Sequence, residues 1–247
     1  MNYGLQMYSV RDFTDVAMDY TLSRIAEFQY EFVEFCDFYD NTAEEINEML
    51  AKHNIRVSGA HVGMKLLKEK LEQTLDFHAA IGNKEIIIPA AEWYSPEAAK
   101  DVIDTINSVM PEIKARGMNL HYHTHDGDYN TNKHGIRPLT MLENETDILF
   151  ETDTFWAFFA GLDPVAEITR LKDRSKFVHI KDGLADRTAK SLGLGIAPVV
   201  DCVNKAKELG LTMIVESEGC VPDGIAEAKR CYKFLKKLET GELEVKA

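Results

Sequence analysis

The sequence predicts one (β/α)8 barrel, a single domain over residues 1–247, on three observations. Short apolar runs alternate with amphipathic stretches eight times, the βα repeat of a parallel sheet that closes on itself. The length of 247 residues is about what such a barrel needs as one unit. No Pro/Ser-rich linker or charge run divides the chain, and no G-x-G-x-x-G follows the first apolar run. A doubly wound sheet is therefore the runner-up.

Taken in order, the strand-like runs cover 4–9, 31–36, 56–61, 85–89, 119–123, 148–153, 177–181 and 212–216. Helical patterns fall between them near 18–28, 42–53, 65–81, 95–115, 137–144, 163–172, 198–208 and 223–238. Asn41 and Thr42 precede Glu44 and Glu45 as a cap precedes a first turn. Ser95-Pro96 and Asp163-Pro164 open helices, since proline at the first position lacks only an N–H the helix would not use. Gly117 and Gly210 stand where a helix closes in the left-handed conformation. The tail 239–247 is polar and is expected to be peripheral or frayed.

Composition bounds the function. A chain that is 45% hydrophobic and 28% charged has material for a full core. Its net charge of -13 argues against a nucleic-acid partner, because phosphate binding needs a basic surface. No apolar run approaches the roughly 20 residues that span a bilayer, and no secretory leader pattern opens the chain. Cys36, Cys202, Cys220 and Cys231 show no C-x-x-C spacing and read as reduced thiols, so the cytoplasm is the expected compartment.

In a barrel, alternate strand residues point inward, and those at the C-terminal ends reach the active-site face. Polar residues two apart recur there: His121/His123/His125, Glu151/Asp153, His179/Lys181 and Glu216/Glu218, with Gln6, Glu34 and His61 on earlier strands. A lone acid or histidine is more often a satisfied polar group than a ligand. Four strands ending this way would crowd costly buried charges together, and a cation relieves them. Carboxylates with imidazoles suit one divalent ion, Mn²⁺, Mg²⁺, Co²⁺ or Zn²⁺, whereas a thiolate site would need paired cysteines.

The chain also resembles the xylose isomerase-like barrels of the sugar phosphate isomerase/epimerase group. The likeness rests on G-L-Q-M-Y-S-V-R-D over 4–12, G-A-H over 59–61, L-H-Y-H-T-H over 120–125 and F-E-T-D-T-F-W over 150–156. It continues with A-G-L-D-P over 160–164, V-H-I-K-D over 178–182, L-G-L-G over 192–195 and I-V-E-S-E over 214–218. The order and spacing together make it specific. The resemblance implies a metal held by Asp153, His179 and Glu216, with a fourth ligand from the fifth strand, usually a carboxylate. Here His123 stands in that place and Asp128 follows a few residues later. Both are candidates, with His125 behind them.

The resemblance further implies a base at Glu216, a proton donor at Lys181, and catalytic contributions from His123 and Glu151. Gln6, His61, His125 and Trp156 are expected to line the substrate pocket, although a core role for Trp156 or a salt-bridge role for Lys181 fits the residue types equally well. The expected function is metal-dependent isomerisation or epimerisation of a small sugar, keto-sugar or inosose through an enediolate. Dehydration or lyase chemistry on such a compound is the alternative. A metal-dependent endonuclease, disfavoured by the acidic charge, and a non-catalytic sugar-binding barrel complete the readings. The expected partner is a small carbohydrate, with no nucleic acid and no membrane, and homo-oligomers are left open.

Overall fold

The computed structural model describes residues 3–243, in which eight parallel strands close a barrel. They are β1 (Tyr3–Gln6), β2 (Phe32–Phe35), β3 (Arg56–His61), β4 (Glu85–Ile88), β5 (Asn119–His123), β6 (Leu149–Asp153), β7 (Ser175–Ile180) and β8 (Thr212–Val215). Each pairs with its neighbours in sequence, and β8 returns to β1 through Gly4↔Ile214. Among the described residues, no helix is long and apolar enough to cross a membrane.

Strand alternation separates two interiors. Leu120, Tyr122, Phe150, Val178, Ile180, Met213 and Val215 face outward into the layer between sheet and helices. The residues between them, His121, His123, Glu151, Asp153, His179, Ile214 and Glu216, face into the barrel. Small residues make room there: a Cβ on Gly59 would stand 2.7 Å from the Ile87 side chain. The register slips between Val33 and Glu34 on β2 and between Phe150 and Glu151 on β6. Irregularities of this kind re-aim side chains, and here they immediately precede two buried acids of the barrel mouth.

The helix signals hold where capping chemistry is explicit. Thr42 and Glu45 form a reciprocal capping box, and Ser95 and Asp163 cap helices that begin with proline. Gly117 and Gly210 adopt positive φ of 67° and 69° at helix ends. Elsewhere the boundaries move. The first strand ends at Gln6, whose side chain accepts from the Tyr8 amide and starts a 3-10 turn over Met7–Val10. The following helix runs Arg11–Glu27 with a kink at Ala17, earlier than the pattern at 18–28 indicated. The stretch 65–81 is two helices, Met64–Glu69 and Leu71–Ala80, parted by Lys70. The last helix, Gly224–Thr240, takes in the start of the tail, and residues 244–247 lie outside the described ones.

Candidate active site

Six strands deliver ionisable groups to the C-terminal mouth. Register sets His123 beside Glu151, Asp153 beside His179 and His179 beside Ile214, two residues before Glu216. One donor atom each from His123, Asp153, His179 and Glu216 all lie within 4.8 Å of one another, a group that can hold a metal ion. His61, His123, Glu151 and His179 form a second such group, sharing two members.

Asp153 is fully buried. One of its oxygens accepts from the Trp156 amide at 2.9 Å, capping the short helix Thr154–Phe159; the other has no hydrogen-bond partner. Glu151 Oε1 is likewise buried without a partner, while its Oε2 lies among three imidazoles, 3.2 Å from His179 Nε2, 3.3 Å from His123 Nδ1 and 3.6 Å from His61 Nε2. Orphaned acceptors at this density are costly in a protein interior. A cation fits them, and the donor set of two carboxylates and two imidazoles suits a divalent ion.

His179 is the hinge of the network. Its Nε2 lies 2.9 Å from Glu34 Oε1 and its Nδ1 3.4 Å from Glu216 Oε2. Gln6 donates to the same Glu34 oxygen at 2.6 Å. Thus Gln6, expected in the substrate pocket, is fully buried beneath it and positions Glu34. Glu34 was visible at a strand end but carried no assigned role. A single acid before Phe35 and Cys36 gives no local signal, and only the closed barrel brings β2 across to β7.

Lys181 has no exposed side-chain surface. Its Nζ lies 2.8 Å from Glu218, 3.1 Å from Glu216 and 3.8 Å from Asp153, above the Trp156 ring at 4.7 Å. Burial works against its charge, but these carboxylates outweigh that and raise its pKa. Burial also opposes ionisation of Glu216, and Lys181 and His179 nonetheless hold its carboxyl well below the ordinary range. Against the same opposition, Glu151 and Glu34 bring His61 to about 9. His179 rises well above its ordinary value, also driven by Glu151 and Glu34. Burial pushes Asp153 up to about 6, although Lys181 and His123 oppose it. His125 is driven down to about 3 by burial, then by His123 and Lys181, and is a neutral imidazole.

The remaining expected residues divide. His61, His123 and His125 line a cavity of about 350 Å³ together with Glu216 and Glu218. Trp156 floors Lys181 and also lies under Arg187. Asp128 is placed apart from the donor group. Its oxygens accept from the His125 amide at 2.8 Å and the Tyr122 hydroxyl at 3.1 Å, and burial raises it to about 7. Of the two fifth-strand candidates, the structure brings His123 to Asp153, His179 and Glu216. His121 points to the opposite end, 2.7 Å from Glu85.

Comparison with known proteins identifies the family. The inosose dehydratase of Clostridium beijerinckii is 24% identical over 221 residues, covering 80% of this chain and 70% of that protein. The inosose dehydratase of Geobacillus kaustophilus is 22% identical over 223 residues, 75% of this chain and 72% of that one. The structure of a sugar phosphate isomerase/epimerase from Parabacteroides distasonis superposes with a TM-score of 0.82 at 22% identity, over 95% of this chain and 93% of that one. A probable 3-DHS dehydratase from Bacillus anthracis superposes at 0.76 and 15% identity, over 96% and 99%. A model of the xylose isomerase-like TIM barrel family matches residues 22–238. The chain belongs to that family and, like these relatives, is an enzyme.

Proposed function

We propose that the chain is a metal-dependent lyase that removes water from a polyhydroxylated ketone, a keto-sugar or inosose, beginning with proton abstraction next to the carbonyl. One observation carries this reading: Lys181 Nζ stands 3.1 Å from Glu216 Oε2, so an acid and a base sit side by side. The strand on the other side of the mouth, β5, supplies imidazoles instead, and that of His125 is neutral. One-sided acid–base chemistry favours elimination over inversion at a carbon, which needs a base on each face.

His123, Asp153, His179 and Glu216 would hold the ion. Bound there, a divalent ion polarises the carbonyl and acidifies the neighbouring C–H. Glu216 takes that proton, and the C–H electron pair becomes the new C=C bond as the C–O bond to the β-hydroxyl breaks. Lys181 gives the departing hydroxide a proton, so that it leaves as water. The proton on Glu216 then returns to Lys181 across their contact, and the pair is reset. Trp156 covers the lysine and excludes water from it. The names of both curated relatives support dehydration.

Isomerisation, the first expectation from the sequence, uses the same start, with the proton redelivered to the adjacent carbon. Incubation of metal-loaded protein with inososes and keto-sugars, followed by NMR and mass spectrometry, separates the two. A product lighter by one water supports the lyase. An isomer of unchanged mass moves the reading to isomerase, and no turnover of any ketone contradicts both.

A further inference from the structure

A second cavity of about 740 Å³ joins the site, sharing Tyr8 and Glu218 with the cavity above the donor group. Its walls come from the loops after β7 and β8, where barrel enzymes frequently hold phosphate, and from Tyr8 and Arg11 after β1 and Glu227 and Arg230 on the last helix. Arg11, Arg187, Lys190 and Arg230 line it, against Glu218 and Glu227. Glu218 pairs with Lys181, whereas Glu227 keeps its charge, with one oxygen accepting from the Ser191 hydroxyl at 3.2 Å and the other buried without a hydrogen-bond partner. With Glu218 paired to Lys181 and Arg187 to Asp126, the remaining Arg11, Lys190 and Arg230 outnumber Glu227, so the cavity is cationic within a chain of net charge -13.

Two of the arginines, Arg11 and Arg230, are held in place but not neutralised. Arg11 donates to the carbonyls of Tyr8 at 2.8 Å and Glu218 at 3.0 Å, and stacks on the Tyr8 ring at 4.2 Å. Arg230 donates to the Ser191 hydroxyl at 3.1 Å and to the Val221 carbonyl. Neither has a carboxylate partner among the described residues. Arg187 pairs with Asp126 at 2.9 Å and lies over Trp156, linking this cavity to the lysine floor. Guanidinium groups fixed by backbone carbonyls keep donors in a planar fork that matches a carboxylate or phosphate.

We propose that this pocket binds an oxyanion carried by the substrate, so that the ketone dehydrated at Glu216 bears a carboxylate or phosphate at its far end. The proposal rests on the lyase reading for the reacting end and on the arginines alone for the anion. Calorimetric titration of metal-loaded protein with glucitol, gluconate and glucitol 6-phosphate tests it without turnover. At low salt at least one anion should bind about tenfold or more tighter than glucitol, and the tighter of the two identifies the group. The advantage should shrink as salt rises, and should vanish in Arg11→Gln/Arg230→Gln while glucitol affinity is unchanged. Anions that bind no better than glucitol, or an advantage that survives both substitutions, would overturn it. Anion binding through the arginines with no reaction of any ketone would sink the lyase reading and leave the subsite standing.

Discussion

His179 Nε2 lies 2.9 Å from Glu34 Oε1, tying β7 to β2 across the barrel. The contact orients the imidazole so that Nε2 faces Glu34 and Nδ1 faces Glu216 at 3.4 Å. Carboxylates behind metal-bound histidines typically govern affinity by about 10- to 100-fold. Glu34→Ala should weaken divalent-ion binding by that order in competition with a chelator. Unchanged affinity would remove Glu34 from the centre.

Lys181→Met should separate binding from chemistry. The side chain keeps much of its length over Trp156 and loses the ammonium shared by Glu216 and Glu218. The expected loss in kcat is about 10²–10⁴-fold, the usual worth of a positioned acid, with metal content retained. A variant that turns over at the parental rate would contradict the proton cycle.

Much of the fold was legible because each βα unit writes its own signals. Apolar alternation and caps such as Thr42 and Asp163 act within a few residues. The strand-end positions of the residues that could hold a metal were legible for the same reason. What sequence reading missed depends on distance through the chain. Glu34 meets His179 only when the barrel closes, and His123 was separated from Asp128 only by where their side chains arrive. Short helices also escaped notice: Asp126–Tyr129 and Thr154–Phe159 are too brief to show a period. The Gln6 side chain, by bonding the Tyr8 amide, turned an apparent strand over 4–9 into a strand and a 3-10 turn.

The L-G-L-G stretch over 192–195 has a structural reason. Asp182 accepts the amides of Gly183, Gly193, Gly195 and Ala197 at 2.9–3.1 Å, folding the loop after β7 around one carboxylate. A Cβ on Gly195 would collide with both that carboxylate and the Gly183 carbonyl. Gly195→Ala should therefore cost about 1–3 kcal/mol in denaturant unfolding. A neutral outcome would show that the loop yields freely.

His78 predicts acid sensitivity away from the site. Burial pushes it down to about 4, and the Asn83 amide donates to its Nδ1 at 3.1 Å. Unfolded, it titrates near 6.5. As pH falls from about 6.5 to about 4, the unfolded chain takes up a proton that the folded one refuses, so stability declines. The contribution approaches roughly 3 kcal/mol, present above pH 6.5 and lost by about pH 4. Urea unfolding at pH 7 and 4.5 should show a smaller decline in His78→Gln than in the parent. Equal declines would mean that His78 is not kept neutral.

Metal-dependent proton abstraction centred on Glu216 is tested most directly by deuterium exchange. Metal-loaded protein is incubated in D₂O with an inosose or keto-sugar that it turns over, and recovered ketone and product are examined by NMR. Deuterium should enter at the carbon next to the carbonyl, and chelation should stop it. Glu216→Gln should slow it at least about 10²-fold, the lower worth of a general base. Exchange that continues at the parental rate in Glu216→Gln or after metal removal, or turnover of α-deuterated substrate without any isotope loss, would contradict the account.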